Sequence, residues 1–342
     1  MKLDWKAGLG LLISAALLWW LFKDQDPAVL WAQIREANPW LFLASIVVAT
    51  SAYAIRAVRW KILLTPVGAE TSFRSRWGAI MVGFMANNLL PARIGEFVRA
   101  FAMGKAETLP VSGVFGTLVV ARFLDGLAVI ALLLVALAFP SFPADATVSG
   151  RPVGQFAGMV ALIVSAIMVV IIVVIAQPRL IVGVAERFTS VLPGGAGPKV
   201  IAGLRSFLDG LAVLRSPALF SKALAWSLVH WAYYATSFWL ALEAFGIRVG
   251  YSGALFTQAM VAAGVSIPSA PGFFGTWHAA AQVALVGPYG IAEPKALAFA
   301  ASYHLGGFIP ITVLGLYYAW RLQISLTEAG AKDATTTLGS KV

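Results

Sequence analysis

The stretch Asn87–Arg99, NNLLPARIGEFVR, decides how this chain is read. It lies between two apolar segments, yet it holds two asparagines, a proline, a glycine, two arginines and a glutamate. Just before it, Trp77 to Leu90 is apolar but only 14 residues long. At 1.5 Å per residue that helix reaches about 21 Å, short of a bilayer core of roughly 30 Å. Pro91 interrupts it, and a second short helix is expected over about Ile94 to Met103. Two short arms around the Pro91 and Gly95 break predict a re-entrant hairpin. Irregular backbone at membrane depth is tolerated only where it is buried in protein or lines a polar cavity.

The composition around this stretch supports a membrane setting. The chain has 342 residues, 60% hydrophobic and 12% charged. Its mean hydropathy is +0.83. A soluble domain needs far more charge to cover its surface, so the expectation is an all-α polytopic membrane protein. The net charge of +10 fits cytoplasmic loops and anionic headgroups, and no nucleic-acid module accompanies it. With no cysteine, disulfides, thiolate catalysis and Cys-metal sites are excluded. The N-terminus has a basic start and no small-residue cleavage site, which reads as an uncleaved first span.

Six full spans are expected: Ala7–Phe22, Pro39–Ile55, Val111–Phe139, Val153–Ala176, Ala223–Phe245 and Ala296–Trp320. From Arg56 to Arg76 there are five basic residues and one acidic one, which places this loop and both termini in the cytoplasm. Residues 177–222 hold six basic residues against Glu186 and Asp209, with apolar stripes at helical spacing. They read as one or two amphipathic helices along the cytoplasmic interface. Tyr251–Ile267 and Phe273–Val286 flank a second break at Pro268, Pro271, Gly272 and Gly275, read as a second re-entrant hairpin. The transmembrane domain runs over 1–324, and the tail 325–342 reads as disordered. Each half, about 1–140 and 153–324, has two spans, a broken hairpin and one span. That layout predicts an inverted repeat with the substrate site where the breaks meet.

The candidate substrate-binding residues are Asn87, Asn88, Arg93, Glu96, Arg99, Arg122, Asp125 and His278. Arg93, Glu96 and Arg99 are three residues apart and share a helical face. Arg122 and Asp125 repeat that spacing. A charge at the centre of a membrane helix costs roughly 2.5–3.5 kcal/mol on the insertion scale. Mutual neutralisation, Glu96 with an arginine and Arg122 with Asp125, is one reading. These five residues leave a spare cation, however, and an arginine fork beside backbone N–H groups freed at a helix break suits phosphate. Asn87 and Asn88 serve as local caps or as headgroup donors. Arg56, Arg59 and Trp60 are expected at the cytoplasmic edge, as topology anchors or as a lateral access point for lipid. His278 either faces Glu96 across the repeat axis or is a satisfied buried histidine. No nucleophile motif, phosphate-binding loop or metal-ligand spacing occurs, so no cofactor, metal or enzymatic activity is expected.

The blocks RAVRW, NNLLPARIGEFVRA, ARFLDGL and PSAPGFFGTWHAA, between Arg56 and Ala280, resemble the lysylphosphatidylglycerol synthase transmembrane family. That is the flippase-like membrane region of the multiple peptide resistance factor. The resemblance implies an inner-membrane protein with re-entrant helices that moves lipids, including aminoacylated phosphatidylglycerol, between leaflets. Two positions depart from the family pattern: Ala121 and His278 stand where acids are common. The soluble aminoacyl-transfer domain of the full-length synthase does not occur in this sequence, so synthesis of the aminoacylated lipid is not expected. The leading expectation is a lipid translocase whose partners are anionic or aminoacylated phospholipids, with a homo-oligomer left open. The alternatives are a secondary transporter of a small anion and an intramembrane enzyme using Glu96 and His278.

Overall fold

The computed structural model describes residues 5–68, 70–90, 94–143, 145–148, 150–155, 158–159, 162, 165–166, 169, 177–189, 196–267 and 269–324. The expectations at Pro91, Arg93 and Pro268, and that of a disordered tail over 325–342, lie outside the described residues. Before the first break come α1 (Trp5–Phe22), α2 (Pro27–Glu36), α3 (Pro39–Gly68) and α4 (Phe73–Leu89). After it come α5 (Gly95–Glu107) and α6 (Val111–Ala138), then a two-stranded hairpin, β1 (Thr147–Val148) and β2 (Arg151–Pro152). Of the expected span Val153–Ala176, the described residues beyond 152 are helical and, Val153 aside, exposed. The second half continues with α7 (Pro178–Thr189), α8 (Ala196–Gly210), α9 (Pro217–Ala244), α10 (Gly250–Gly264), α11 (Thr276–Tyr289) and α12 (Glu293–Arg321).

Among the described residues, α3, α6 and α12 are long and apolar enough to cross a membrane, and Leu11–Phe22 of α1 is a shorter apolar helix. Exposed Leu12, Trp19, Trp40 and Trp320 give these helices an apolar outer surface. A soluble protein does not carry that much exposed apolar side chain.

Two segments differ from the sequence expectation, and one helix is additional to it. Residues 27–36 are helical, because Asp26 caps the Ala28 N–H at 2.8 Å and Pro27 stands at the helix start. The second helix does not end at Ile55. It runs to Gly68, whose φ of +125° stops it, and so carries Arg56, Arg59 and Trp60 within its length. In the 177–222 segment, α8 docks on α6 and also touches α3. Leu208, Leu211 and Val213 from this region are buried in the core.

The helices bury two main cores. One gathers α3, α4, α5 and α6 around Trp60, Met81, Met85, Met103 and Leu124. The other gathers α9, α10, α11 and α12 around Phe238, Phe245, Trp277, Phe299 and Tyr303. The two halves are joined by α3 against α9, α4 against α12 and α6 against α10.

Candidate functional site

The expected pairing of Arg122 with Asp125 does not form. Residues three apart on α6 point to the same side, but each meets a different helix. Asp125 accepts from Arg56 at 3.0 Å and from Arg59 at 2.5 Å, both on α3. It also accepts from the Trp231 indole N–H on α9 at 3.0 Å. Arg59 donates to the Ser227 hydroxyl at 2.7 Å. The Arg56 Nε–H donates to His230 Nε2 at 2.8 Å, and His230 Nδ1 lies 3.0 Å from the Ala52 carbonyl. Because an arginine N–H can only donate, Nε2 must be the bare nitrogen and Nδ1 must carry the hydrogen. His230 is therefore neutral in this arrangement.

This network corrects the expected position of Arg56, Arg59 and Trp60. All three are buried, with 5%, 1% and 0% exposure, rather than lying at an open cytoplasmic edge. The reason is charge: Asp125 and the α9 side chains supply partners that only the interior offers. The Trp60 N–H donates to Thr117 on α6, and its ring lies 4.0 Å from the buried Arg99 guanidinium.

Around the first break, α4 and α5 fold back on each other. The Asn87 amide oxygen accepts from the Gly95 N–H at 2.9 Å, capping α5 from the end of α4. A Cβ on Gly95 would lie 2.1 Å from the Gly83 carbonyl oxygen, so the helices touch backbone to backbone here. Asn88 turns the other way and donates to Thr312 of α12 at 2.9 Å. Glu96 pairs with Arg122 of α6. That pair is the accessible part of the charge cluster, with the Arg122 side chain 47% exposed and Glu96 22%.

Glu96 and Arg122 line a cavity of about 390 Å³, together with Asn87 and Asp125. Its wall continues along one face of α6 through Gly126, Val129, Ile130 and Leu133. Ala259, Ala262 and Ala263 of α10 close the opposite side, with Val265, Ser266 and Phe273 from the second break. A second space of about 190 Å³ adjoins it, sharing Asn87, Arg122, Trp231, Ala262, Val265 and Phe273 and adding Arg56, Asn88 and His304. Residues from both broken regions thus line one connected set of cavities.

The second break is held differently. Pro271–Phe273 forms a single 3₁₀ turn, in which Gly272 has φ 70° and ψ 8°. Gly275 follows at φ 88° and starts α11. The Ala270 N–H donates to Ser14 of α1 at 2.7 Å. His278 does not face Glu96. Its Nδ1 accepts from the Gly275 N–H at 3.4 Å, and its ring packs among Phe274, Trp277 and His304. It is buried, at 3% exposure. Among the contacts of the described residues, Glu96 and His278 share none. Trp231 and Ser227 escaped sequence reading. Their one sequence signal is nearness to His230 within an apolar span, Trp231 directly after it and Ser227 three residues before it.

The sequence matches the family described as lysylphosphatidylglycerol synthase TM region over residues 8–315. A stretch of 126 residues is 29% identical to the glycosyltransferase AglD of Haloferax volcanii, covering 37% of this chain and 20% of that protein. A UPF0104 membrane protein of Methanocaldococcus jannaschii is 28% identical over 92 residues, 26% of this chain and 27% of its own. Another, from Methanothermobacter thermautotrophicus, is 31% identical over 94 residues, 27% of this chain and 28% of its own. The chain therefore spans between a fifth and just over a quarter of the length of these curated relatives. Because the family match runs from α1 into α12, the chain belongs to the lysylphosphatidylglycerol synthase TM region family of multi-pass membrane proteins.

Proposed function

We propose that this chain is a lipid translocase, moving a phospholipid or another polar-headgroup lipid between leaflets of the inner membrane. One observation carries the reading. The α6 wall of the larger cavity is graded, with Arg122 and Asp125 at one end and Val129, Ile130 and Leu133 one to two turns on. A charged end continuous with an apolar face matches a phosphate headgroup joined to acyl chains. A small soluble anion has no use for the apolar part.

In this reading α1, α3, the 153–176 segment, α6, α9 and α12 are full spans. The pairs α4–α5 and α10–α11 are re-entrant hairpins, and both termini are cytoplasmic. Helix neighbours support an inverted repeat. Exchanging α3 with α9, α4 with α10, α5 with α11 and α6 with α12 converts α3–α4 into α9–α10, α4–α5 into α10–α11, and α4–α12 into α10–α6, all of which are packed pairs. Arg122 exchanges its Glu96 partner for the incoming phosphate, and the freed Glu96 carboxylate becomes the counter-charge that lets the headgroup leave again. Translocation needs no covalent step, so the reading is of a transporter rather than an enzyme.

Reconstituted protein with acyl-labelled fluorescent phospholipid tests this. Wild-type protein is expected to equilibrate the probe between leaflets, and Arg122→Gln to slow it at least tenfold while remaining folded. Unchanged transfer in Arg122→Gln sinks the site assignment.

A further inference from the structure

We infer that the headgroup taken at this site carries an excess of negative charge, as a phosphomonoester or diphosphate end does, rather than being zwitterionic or cationic. The inference rests on the translocase reading above and narrows its substrate class.

It comes from the charges facing one another across α3, α5, α6 and α9. Four arginines lie in the cluster: Arg56, Arg59, Arg99 and Arg122. Two carboxylates answer them. Asp125 is shared by Arg56 and Arg59, and Glu96 is taken by Arg122. His230 contributes no charge, since its Nε2 accepts from Arg56. Arginine keeps its proton inside proteins. The cluster therefore holds two more positive than negative charges among the described residues.

The excess is not absorbed locally. Arg99 is 3% exposed, its guanidinium lies against the Trp60 ring, and its Nε has no hydrogen-bond partner. The Arg59 Nε is also without a partner. A buried uncompensated charge is tolerated only when something nearby answers it. The place for an answering anion is the cavity, which Arg56 and Arg122 reach directly from two sides. Low-dielectric walls carry the field of Arg59 and Arg99 into that space instead of screening it. The N-terminus of α5, at Gly95 and Glu96, adds partial positive charge on the same side. A singly charged phosphodiester answers half of the excess. A phosphomonoester, at about −1.5 to −2, answers nearly all of it. A zwitterionic headgroup, with net charge zero, answers none of it, and a net-cationic headgroup is repelled.

A panel of acyl-labelled lipids in phosphatidylcholine vesicles tests the inference. The headgroups are phosphatidic acid, phosphatidylglycerol, phosphatidylethanolamine and an aminoacylated phosphatidylglycerol. Leaflet exchange and binding to detergent-solubilised protein are both read. The expected order in both is phosphatidic acid, then phosphatidylglycerol, then the neutral and cationic lipids, with at least tenfold between the ends. A flat or reversed order overturns the proposal. If no probe changes leaflet, the translocase reading fails, while the binding order still decides the headgroup charge. Pyrophosphate is added as a soluble competitor. Protection by pyrophosphate equal to that by lipid assigns the site to a free anion and overturns the lipid source. Arg99→Met removes one excess charge without touching the cavity and is expected to bring phosphatidic acid and phosphatidylglycerol within about threefold of each other. Arg99→Lys is expected to restore the difference. Full discrimination in Arg99→Met overturns the charge argument, and the panel on the unaltered chain stands alone if neither variant folds.

Discussion

The two broken hairpins solve one problem with opposite chemistry. The first, α4–α5, is closed by a side-chain amide, a backbone-to-backbone glycine contact and a cluster of charges. The second, α10–α11, is closed by left-handed backbone at Gly272, Phe273 and Gly275, a hydroxyl from α1, and a box of aromatic and imidazole rings. Both leave free N–H groups that have to be answered away from water. What differs is which side chains stand nearby. Around the first break, arginines from α3, α5 and α6 compete for two carboxylates. Around the second no carboxylate takes part in the contacts of the described residues, and His278 and His304 lie with ring centroids 4.9 Å apart in apolar surroundings. In the proposed reading, electrostatics at the first break selects the headgroup and the second break supplies shape.

The largest expected effect breaks the comparison at its charged side. Asp125→Ala leaves Arg56 and Arg59 buried without a counter-ion, a change that costs about 3–5 kcal/mol. Thermal unfolding of the purified protein measures it. His278→Gln, on the other side, is expected to cost well under half as much. Equal losses would mean that the charged network is no more of an anchor than the aromatic box.

Next come the glycines. Gly95→Ala drives a methyl into the Gly83 carbonyl, an overpacking that costs about 1–3 kcal/mol. Gly275→Ala costs a similar amount for a different reason. An alanine at φ 88° is strained, and its Cβ meets Ser14 and Leu17 of α1. The atoms it meets are the Ser14 backbone and the Leu17 Cβ, which Leu17→Ala keeps, so that second change is expected to relieve neither loss, as a double-mutant comparison of unfolding midpoints would show.

Smaller still are the caps. Asn87→Ala removes the Gly95 cap at about 1 kcal/mol, and Ser14→Ala removes the acceptor for Ala270 at about the same cost. Because Asn87 also lines both cavities, its loss is expected to slow lipid transfer beyond what destabilisation explains, whereas Ser14→Ala is not.

The smallest effect lies at the end of α5, apart from the helices long and apolar enough to cross a membrane. Burial pushes the Glu107 carboxyl up, but hydrogen bonds from the Ser75 hydroxyl and from the Ser72 N–H and hydroxyl outweigh it and hold it below the usual carboxylate value. A depressed folded value adds stability that is present above the unfolded value, near pH 4.3, and is lost as pH falls through the folded value. Glu107→Gln is therefore expected to lower the unfolding midpoint slightly at pH 7 and not at pH 3.

The helix layout was largely legible. Clustered Pro and Gly mark the places where a helix is least able to continue, so Leu89 and Gly264 end their helices close to where the sequence breaks them, whereas the single prolines Pro66, Pro288 and Pro310 lie within helices. The extension of α3 past Ile55 was less legible. Charge alone signals a loop only if the arginines face water, and Arg56 and Arg59 face Asp125 instead. The charge cluster was legible as a set of charged positions and illegible as a set of pairs. Glu96, Arg122 and Asp125 belong to it, yet spacing paired Asp125 with its neighbour on α6, while space pairs it with α3 and α9.

The sequence by itself determined that this chain is a helical membrane protein with two interrupted helices, because hydrophobic length and backbone breakers act locally. Tertiary structure alone decided which charges are sealed and which are open. A buried arginine takes whichever carboxylate the neighbouring helix brings within reach, and that neighbour lies 66 residues away for Arg59 and Asp125. The same packing leaves Arg122 and Glu96 as the more accessible of the pairs that line the cavity.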